Sequence, residues 1–519
     1  MKIDFNTYKD KVMGCWAGKN VGGVLGGPLE GKRKFNEVDF YVQDLSAGPP
    51  PNDDLDLQLV WLTAVERFGR QVDASILGEY WLSYIVPNWV EYGTGKANLA
   101  NGLMPPVSGH FNNRYANSCG CFIRSEIWAC LAPGLPDLAV RYAYEDAIVD
   151  HSGEGMYGEL FCAALESAAF VESDARKLID IGLSYIPDNC AVARCVKKAV
   201  ECYNGKLPLT EARVLIHNEA PGTFGAYGQK IPNIPTEGGK LAVGDPGFDC
   251  PENVGFLIAG WLYGEGDFGK SLCSAVACGE DTDCTAATLG SILGIISGAK
   301  KIPEKWTDPL GDKIATLCIN LTWGGVWVPK TVTELTDRVL RITPLFLGIE
   351  HCDILAEGGY VINCKDADEL SCQNEDDYLV GYTADYNPRG LYPGELAHLG
   401  PHTTWYSFPT HHVLVDCGKD IYYYPGSGRK FTVTLINNNI MNQQTWCKLR
   451  VYAPDSITFI KGPAYEMQLN TLRGDRGVYT FEFDAGDYSE SRLEILLDIS
   501  FTGRHTCTPV KITMLKGPG

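Results

Sequence analysis

The spacing of apolar residues changes once along this chain, and that change limits the folds open to it. Up to about residue 350 the spacing is helical. Leu57, Val60, Trp61, Ala64 and Val65 follow one helix face, as do Leu160, Phe161, Ala164 and Leu165. Residues 286–299 read as a helix of small side chains. There Gly290, Gly294 and Gly298 recur at every fourth position and let another backbone come close. Beyond about 350 the period is two. Phe431, Val433 and Leu435 alternate with Thr432 and Thr434, Leu449 and Val451 with Lys448 and Arg450, and Tyr479, Phe481 and Phe483 with Thr480 and Glu482, and the runs Leu493 through Phe501 and Val510 through Met514 alternate too. A helical period cannot settle as a strand, nor the reverse. The expectation is therefore a multidomain chain, mostly α over 1–350 and an antiparallel β-sandwich over 351–519. The length of 519 residues agrees, because one core rarely grows past about 250–300 residues.

Charge narrows the partners. The chain has 44 basic and 64 acidic residues, a net −20. Phosphate backbones are gripped by clustered Lys and Arg, so no nucleic acid is expected. The longest uncharged run of small apolar residues, 284–299, is short for a membrane span, so no membrane is expected either. The 19 cysteines form no paired CxxC frame, and the CxC of Cys119 and Cys121 is too short for a zinc knuckle. They read as reduced core residues. With no apolar leader after Met1, the expected location is cytoplasmic.

Acidic residues gather at three places: Asn52-Asp53-Asp54-Leu55-Asp56 before a helix, Glu280-Asp281-Thr282-Asp283-Cys284 before the small-residue helix, and Glu30 after a glycine-rich run. A single aspartate at a helix start has a plain use as a cap. Neighbouring carboxylates in two such places repel unless protons or a cation neutralise them. Hard oxygen donors of this kind suit Mg²⁺, Ca²⁺ or Mn²⁺. From the residues alone both readings stand.

Five motifs in order along residues 8–300 then point to a family. Asp10 to Gly18 with GGVLGGPLE (22–30) looks like an opening helix and a "GDALGxPxE" turn. Asn52-Asp53-Asp54 looks like Thr-Asp-Asp, and Gly120 to Arg124 like a "GxxMR" loop. Asp150-His151 before an alanine-rich helix looks like a histidine segment. GEDTDCTAATLGSILG looks like "GGDTDTxAAxxGAIxG". Together they resemble the ADP-ribosylglycohydrolases, the DraG-like enzymes, in a divergent branch. The resemblance implies an all-α domain with a binuclear magnesium site. It puts Asn52, Asp53, Asp54, Asp281 and Asp283 at ligand positions, with Cys284 beside them, and Glu30 near the metals. Asn117, Ser118, Cys119 and Gly120 would line the substrate cleft. His151 and Tyr157 would contact the substrate.

The same resemblance suggests catalytic roles. Asp54 is the first choice for handling the attacking water and Glu30 the second. Glu159 is a candidate acid for the leaving group, against the plainer reading of an exposed helical glutamate. Asn52 and Cys284 replace threonines, and a soft thiol is a poor magnesium ligand, so Mn²⁺ stays open. The expected function is Mg-dependent hydrolysis of an N- or O-glycosidic bond in an ADP-ribosyl or other ribosyl substrate. Hydrolysis of another glycoside or nucleoside, and an inactive metal or ADP-ribose binder, are the alternatives. Residues 420–460 resemble fibronectin- or NEW3-like sandwich modules, for which carbohydrate binding or self-association is expected.

Overall fold

The computed structural model describes residues 1–220, 248–322, 325–372, 393–408, 410–437, 444–469, 476–505 and 507–518. Its helices are α1 (Phe5–Gly26), α2 (Asp56–Phe68), α3 (Ala74–Tyr84), α4 (Val90–Ala100), α5 (Val107–His110), α6 (Glu126–Leu131), α7 (Pro136–Ala147) and α8 (Glu154–Ala169). They continue as α9 (Ala175–Ser184), α10 (Ala191–Asn204), α11 (Leu209–Glu219), α12 (Cys250–Gly264), α13 (Phe268–Ala277), α14 (Thr282–Ser297), α15 (Glu304–Thr307) and α16 (Val332–Leu347). α8, α12 and α14 are buried on almost every side, as helices of small and apolar residues should be.

Helices α1 and α14 make the closest backbone contact. A Cβ on Gly14 would sit 2.2 Å from the Gly294 carbonyl oxygen, and one on Gly18 would sit 1.9 Å from that of Gly290. One on Gly22 would meet Ala286 O at 2.0 Å, and one on Gly26 would meet Thr282 O at 2.2 Å. The two glycine stripes thus lie against each other in opposite directions. Gly298 does not belong to the stripe. It ends α14 with a positive φ of 79°, a conformation that glycine adopts without a Cβ penalty.

The chain divides into two compact units, Met1–Gln373 and Asn374–Gly519. The first is helical except for a small antiparallel sheet of β1 (Lys2–Asp4), β2 (Cys352–Ile354) and β3 (Tyr360–Asn363), with β3 in the centre. β2 and β3 thus follow residue 350 in sequence, yet β3 pairs with the chain's first residues, Lys2 opposite Asn363, and carries β2 on its other edge.

The second unit is an antiparallel sandwich. Its strands are β4 (Thr403–Ser407), β5 (His411–Asp416), β6 (Tyr422–Tyr423), β7 (Gly428–Asn437), β8 (Thr445–Tyr452), β9 (Thr458–Phe459), β10 (Ala464–Leu469), β11 (Arg476–Asp484), β12 (Arg492–Phe501) and β13 (Cys507–Lys516). One sheet runs β10-β8-β12-β13-β6 and the other β4-β5-β7-β11-β9. The pairings are antiparallel except β13 with β6. Phe431, Val433, Leu435, Leu449, Val451, Phe481, Phe483, Leu493, Ile495, Leu497, Ile499, Phe501, Val510, Ile512 and Met514 lie in the core, and Tyr479, the remaining member of the period-two set, is partly buried against it. Among the described residues the cysteines form no disulfide and are mostly buried. Among the described residues no helix is long and apolar enough to cross a membrane.

Candidate active site

The glycine contact decides where the acidic residues meet. Because α1 and α14 run antiparallel, the C-terminal end of α1 lies at the N-terminal end of α14. Thr282 Oγ1 donates to Gly26 O at 2.9 Å there. Glu30 follows α1 by one short turn, and its loop is tied to α14 by Gly31 N donating to Glu280 O at 2.9 Å. Arg33 Nε, also from this loop, donates to the Glu280 carboxylate at 2.8 Å. Glu280 therefore holds the loop, at a left-handed φ of 64°. The loop before α2 enters from the side. Gly23 of α1 faces it, and a Cβ there would come within 2.9 Å of Asp54 Oδ2.

Asn52 links the two aspartate pairs. Its Oδ1 accepts from Asp54 N at 2.7 Å, and its Nδ2 donates to Asp283 Oδ2 at 3.2 Å. Tyr92 donates its hydroxyl to Asp53 Oδ2 at 3.3 Å. Asp56 turns away and accepts from the Leu317 and Cys318 amides, so its job is to pin that segment. Asp281, Asp283 and Cys284 offer ligand atoms that lie within 4.8 Å of one another.

Electrostatics asks for a cation at this place. Asp54, Asp281 and Asp283 are almost wholly buried. Both oxygens of Asp54 and one each of Asp281 and Asp283 have no hydrogen-bond partner. Burial, then the charge of Asp283, pushes Asp54 and Asp281 well above the ordinary carboxylate range. The same causes raise Asp53 to about 6. Asp283 first, then burial, raises Glu30 to about 8 at the solvent edge of the group. Burial also pushes the Cys284 thiol up, which keeps it protonated and unfit to bind a hard ion as thiolate. Orphaned, mutually repelling carboxylate oxygens fit a divalent cation that prefers oxygen.

The other residues singled out in the sequence fall into two groups. Ser118 Oγ lies 3.1 Å from His151 Nε2, and His151 Nδ1 lies 3.0 Å from Asp150. Cys119 sits against Asp281, which brings this loop to the aspartates. Gly120 lies close against Glu91, whose carboxylate would have to move for a Cβ there, 2.1 Å from Oε1. Asn117 accepts from Glu154 N at 2.8 Å and so caps the start of α8. Tyr157 is half-buried on α8. Glu159 is fully buried, not exposed. It accepts from Cys121 Sγ and shares Arg124 with Asp146 and Asp150 in a closed ion cluster. Its partners belong to that cluster and not to the aspartates of the two loops.

Three residues here carry no signal that period or motif could reveal. Lys19 is wholly buried on α1 and donates to Glu126 Oε1 at 2.6 Å and Thr288 Oγ1 at 3.3 Å. Burial opposes its charge, but Glu126 and Asp54 outweigh that and hold it above the ordinary lysine value. Its one clue in sequence is a lone cation inside a glycine-rich apolar helix. Glu91 bonds Ser118, and burial raises it to about 6. Tyr92 beside it reaches Asp53. Val90, which precedes both, has a positive φ of 29°, and holding a β-branched residue there costs on the order of 1–3 kcal/mol.

A family model described as ADP-ribosylglycohydrolase matches residues 4–341, more than half of the chain. A solved structure described as an ADP-ribosylglycohydrolase-related protein complex is 19% identical over 65% of this chain and 99% of that one, with a TM-score of 0.40. A FixG-related protein from Vibrio parahaemolyticus is 13% identical over 18% of this chain and 80% of that one, with a TM-score of 0.15. No curated protein matches. The matched residues take in Glu30, both aspartate pairs, the 117–120 loop and His151, and the chain belongs to the ADP-ribosylglycohydrolase family.

Proposed function

We propose that the protein is a magnesium-dependent glycohydrolase that cleaves an N- or O-glycosidic bond to a ribosyl group, with an ADP-ribosyl substrate as the default. The observation that carries this is Asp54, buried with both oxygens unpartnered among Asp53, Asp281 and Asp283. Those four carboxylates would hold the cation, Mg²⁺ first and Mn²⁺ second, and Asn52 would keep the two pairs in register. When bound, such an ion supplies Lewis acidity, orients vicinal hydroxyls and lowers the pKa of a water.

The chain's own groups do the rest. Glu30, the one carboxylate of the group at the solvent edge, is assigned to take the water's proton. Asp54 is closed off and is assigned to the cation. Ser118 and His151, held by Asp150 and Arg124, are assigned to bind the substrate, and Gly120 keeps their loop against Glu91. Tyr157 stands at the margin of this set. Glu159, shut in with Arg124, is assigned to structure. Calorimetric titration with Mg²⁺, followed by assays of ADP-ribosyl and simple ribosyl substrates, tests the reading. Absence of divalent-cation binding by the intact chain would overturn it.

A further inference from the structure

A flat aromatic layer stands next to the acidic group. Tyr92, whose hydroxyl donates to Asp53, carries the ring of Trp89 stacked on it, with centroids 6.3 Å apart and planes 24° apart. Trp81 closes the other approach to Tyr92 edge-on at 4.9 Å. Among the described residues Trp89 has no other ring contact, and it is 47% exposed. The strained Val90 follows it directly, so the backbone is held in an unfavourable conformation between Trp89 and Glu91.

The chain around Trp89 is apolar and uncharged. Val86 N donates to Cys318 O at 2.8 Å, and Ile85 pairs with Ile319. Val86, Leu317 and Leu321 on these two segments are 60%, 52% and 53% exposed. Asp56 ties Leu317 and Cys318 to the loop of Asp53 and Asp54. Residues 80–90 and 314–322 contain no charged side chain. Lys96 of α4 turns its ammonium to the carbonyls of Ile85 and Val86. On these segments a diphosphate would meet no free cation, whereas a flat neutral ring would meet Trp89. Exposed apolar surface of this kind, continuous with a polar site, marks a place where something binds.

We propose that the group released from the sugar is a flat, uncharged ring, a nucleobase-like or aryl aglycone, and that Trp89 is the platform on which it stacks. This rests on the glycohydrolase reading. The bond from the anomeric carbon to the ring's nitrogen or oxygen breaks and one to the water oxygen forms. The proton lost by the water ends on the released ring.

The test uses the whole protein with Mg²⁺ and three probes: inosine, 4-nitrophenyl ribofuranoside and methyl ribofuranoside. Equilibrium binding is measured calorimetrically and turnover by product release. The first two should bind the native protein more tightly than the third. Trp89→Ala should cut that preference roughly tenfold, and Trp89→Phe should keep most of it. An unchanged preference in Trp89→Ala, or failure of both ring-bearing probes to bind, would overturn the proposal. So would a change confined to sedimentation, which would make the shelf an interface between two copies. If ADP-ribosyl substrates are hydrolysed with no dependence on Trp89, the glycohydrolase reading survives and the platform does not. If no ribosyl compound is hydrolysed with Mg²⁺ or Mn²⁺, the reading itself fails.

Discussion

Asp54 and Asp281 carry buried oxygens that no protein group satisfies, and each feels the charge of Asp283. Removing one such charge relieves repulsion while removing a ligand. Asp281→Asn is therefore expected to raise the stability of the metal-free protein by about 1 kcal/mol and to abolish measurable Mg²⁺ binding. Thermal melts with and without magnesium would show both. The pH dependence follows from the same groups. A carboxyl group with a higher pKa in the folded state favours folding at low pH, and that contribution disappears as pH rises through the folded value. For Glu30 the window runs from about 4.5 to about 8, and for Asp53 from about 3.8 to about 6. Chelated protein should lose stability across it, and added Mg²⁺ should stabilise more at about pH 8 than at about pH 5. Scanning calorimetry at the two values checks this, and an equal gain at both would contradict it. The doubled aspartates were legible in sequence because adjacent like charges are rarely idle. Lys19, Glu91 and Tyr92 were not, because a single polar residue gives no pattern.

Helices α1 and α14 act as one element. Their stripes put backbone against backbone, so a single methyl has nowhere to go: the Cβ of Gly18→Ala would fall 1.9 Å from Gly290 O. Overpacking of this kind costs about 1–3 kcal/mol, and more where backbone cannot shift. Gly18→Ala should lower the free energy of unfolding by at least that amount. It should also weaken Mg²⁺ binding, since the helix ends that separate are those carrying Glu30 and Asp281. Loss of stability with unchanged Mg²⁺ affinity would refute the link. The stripe in α14 could be read from Gly290 and Gly294, but that it faces α1 could not. A stripe states that something comes close, and the partner is found only in three dimensions. Glu159 makes the same point in reverse. The plainer sequence reading of Glu159 is an exposed helical glutamate, while α8 is buried on almost every side and delivers it to Arg124.

For the whole molecule, every residue assigned to the chemistry lies in the unit Met1–Gln373. A chain of residues 1–372 is expected to bind Mg²⁺ as the full chain does. A chain ending at 350 loses β3, the partner of β1, together with β2, and should melt several degrees lower. Calorimetry on the two fragments separates these outcomes, and a 1–372 fragment unable to bind Mg²⁺ would show that the sandwich is required. The sequence by itself determined the two architectures and the acidic loops, because hydrophobic period and local charge are properties of neighbouring residues. It also determined which strand faces enter the sandwich core, since alternation leaves one face to bury. Only the tertiary structure decided which carboxylates converge, that Asp56 and Glu280 hold loops, and that Trp89 stacks beside Asp53. Those relations join residues far apart in the chain, and no local pattern records a distance between them.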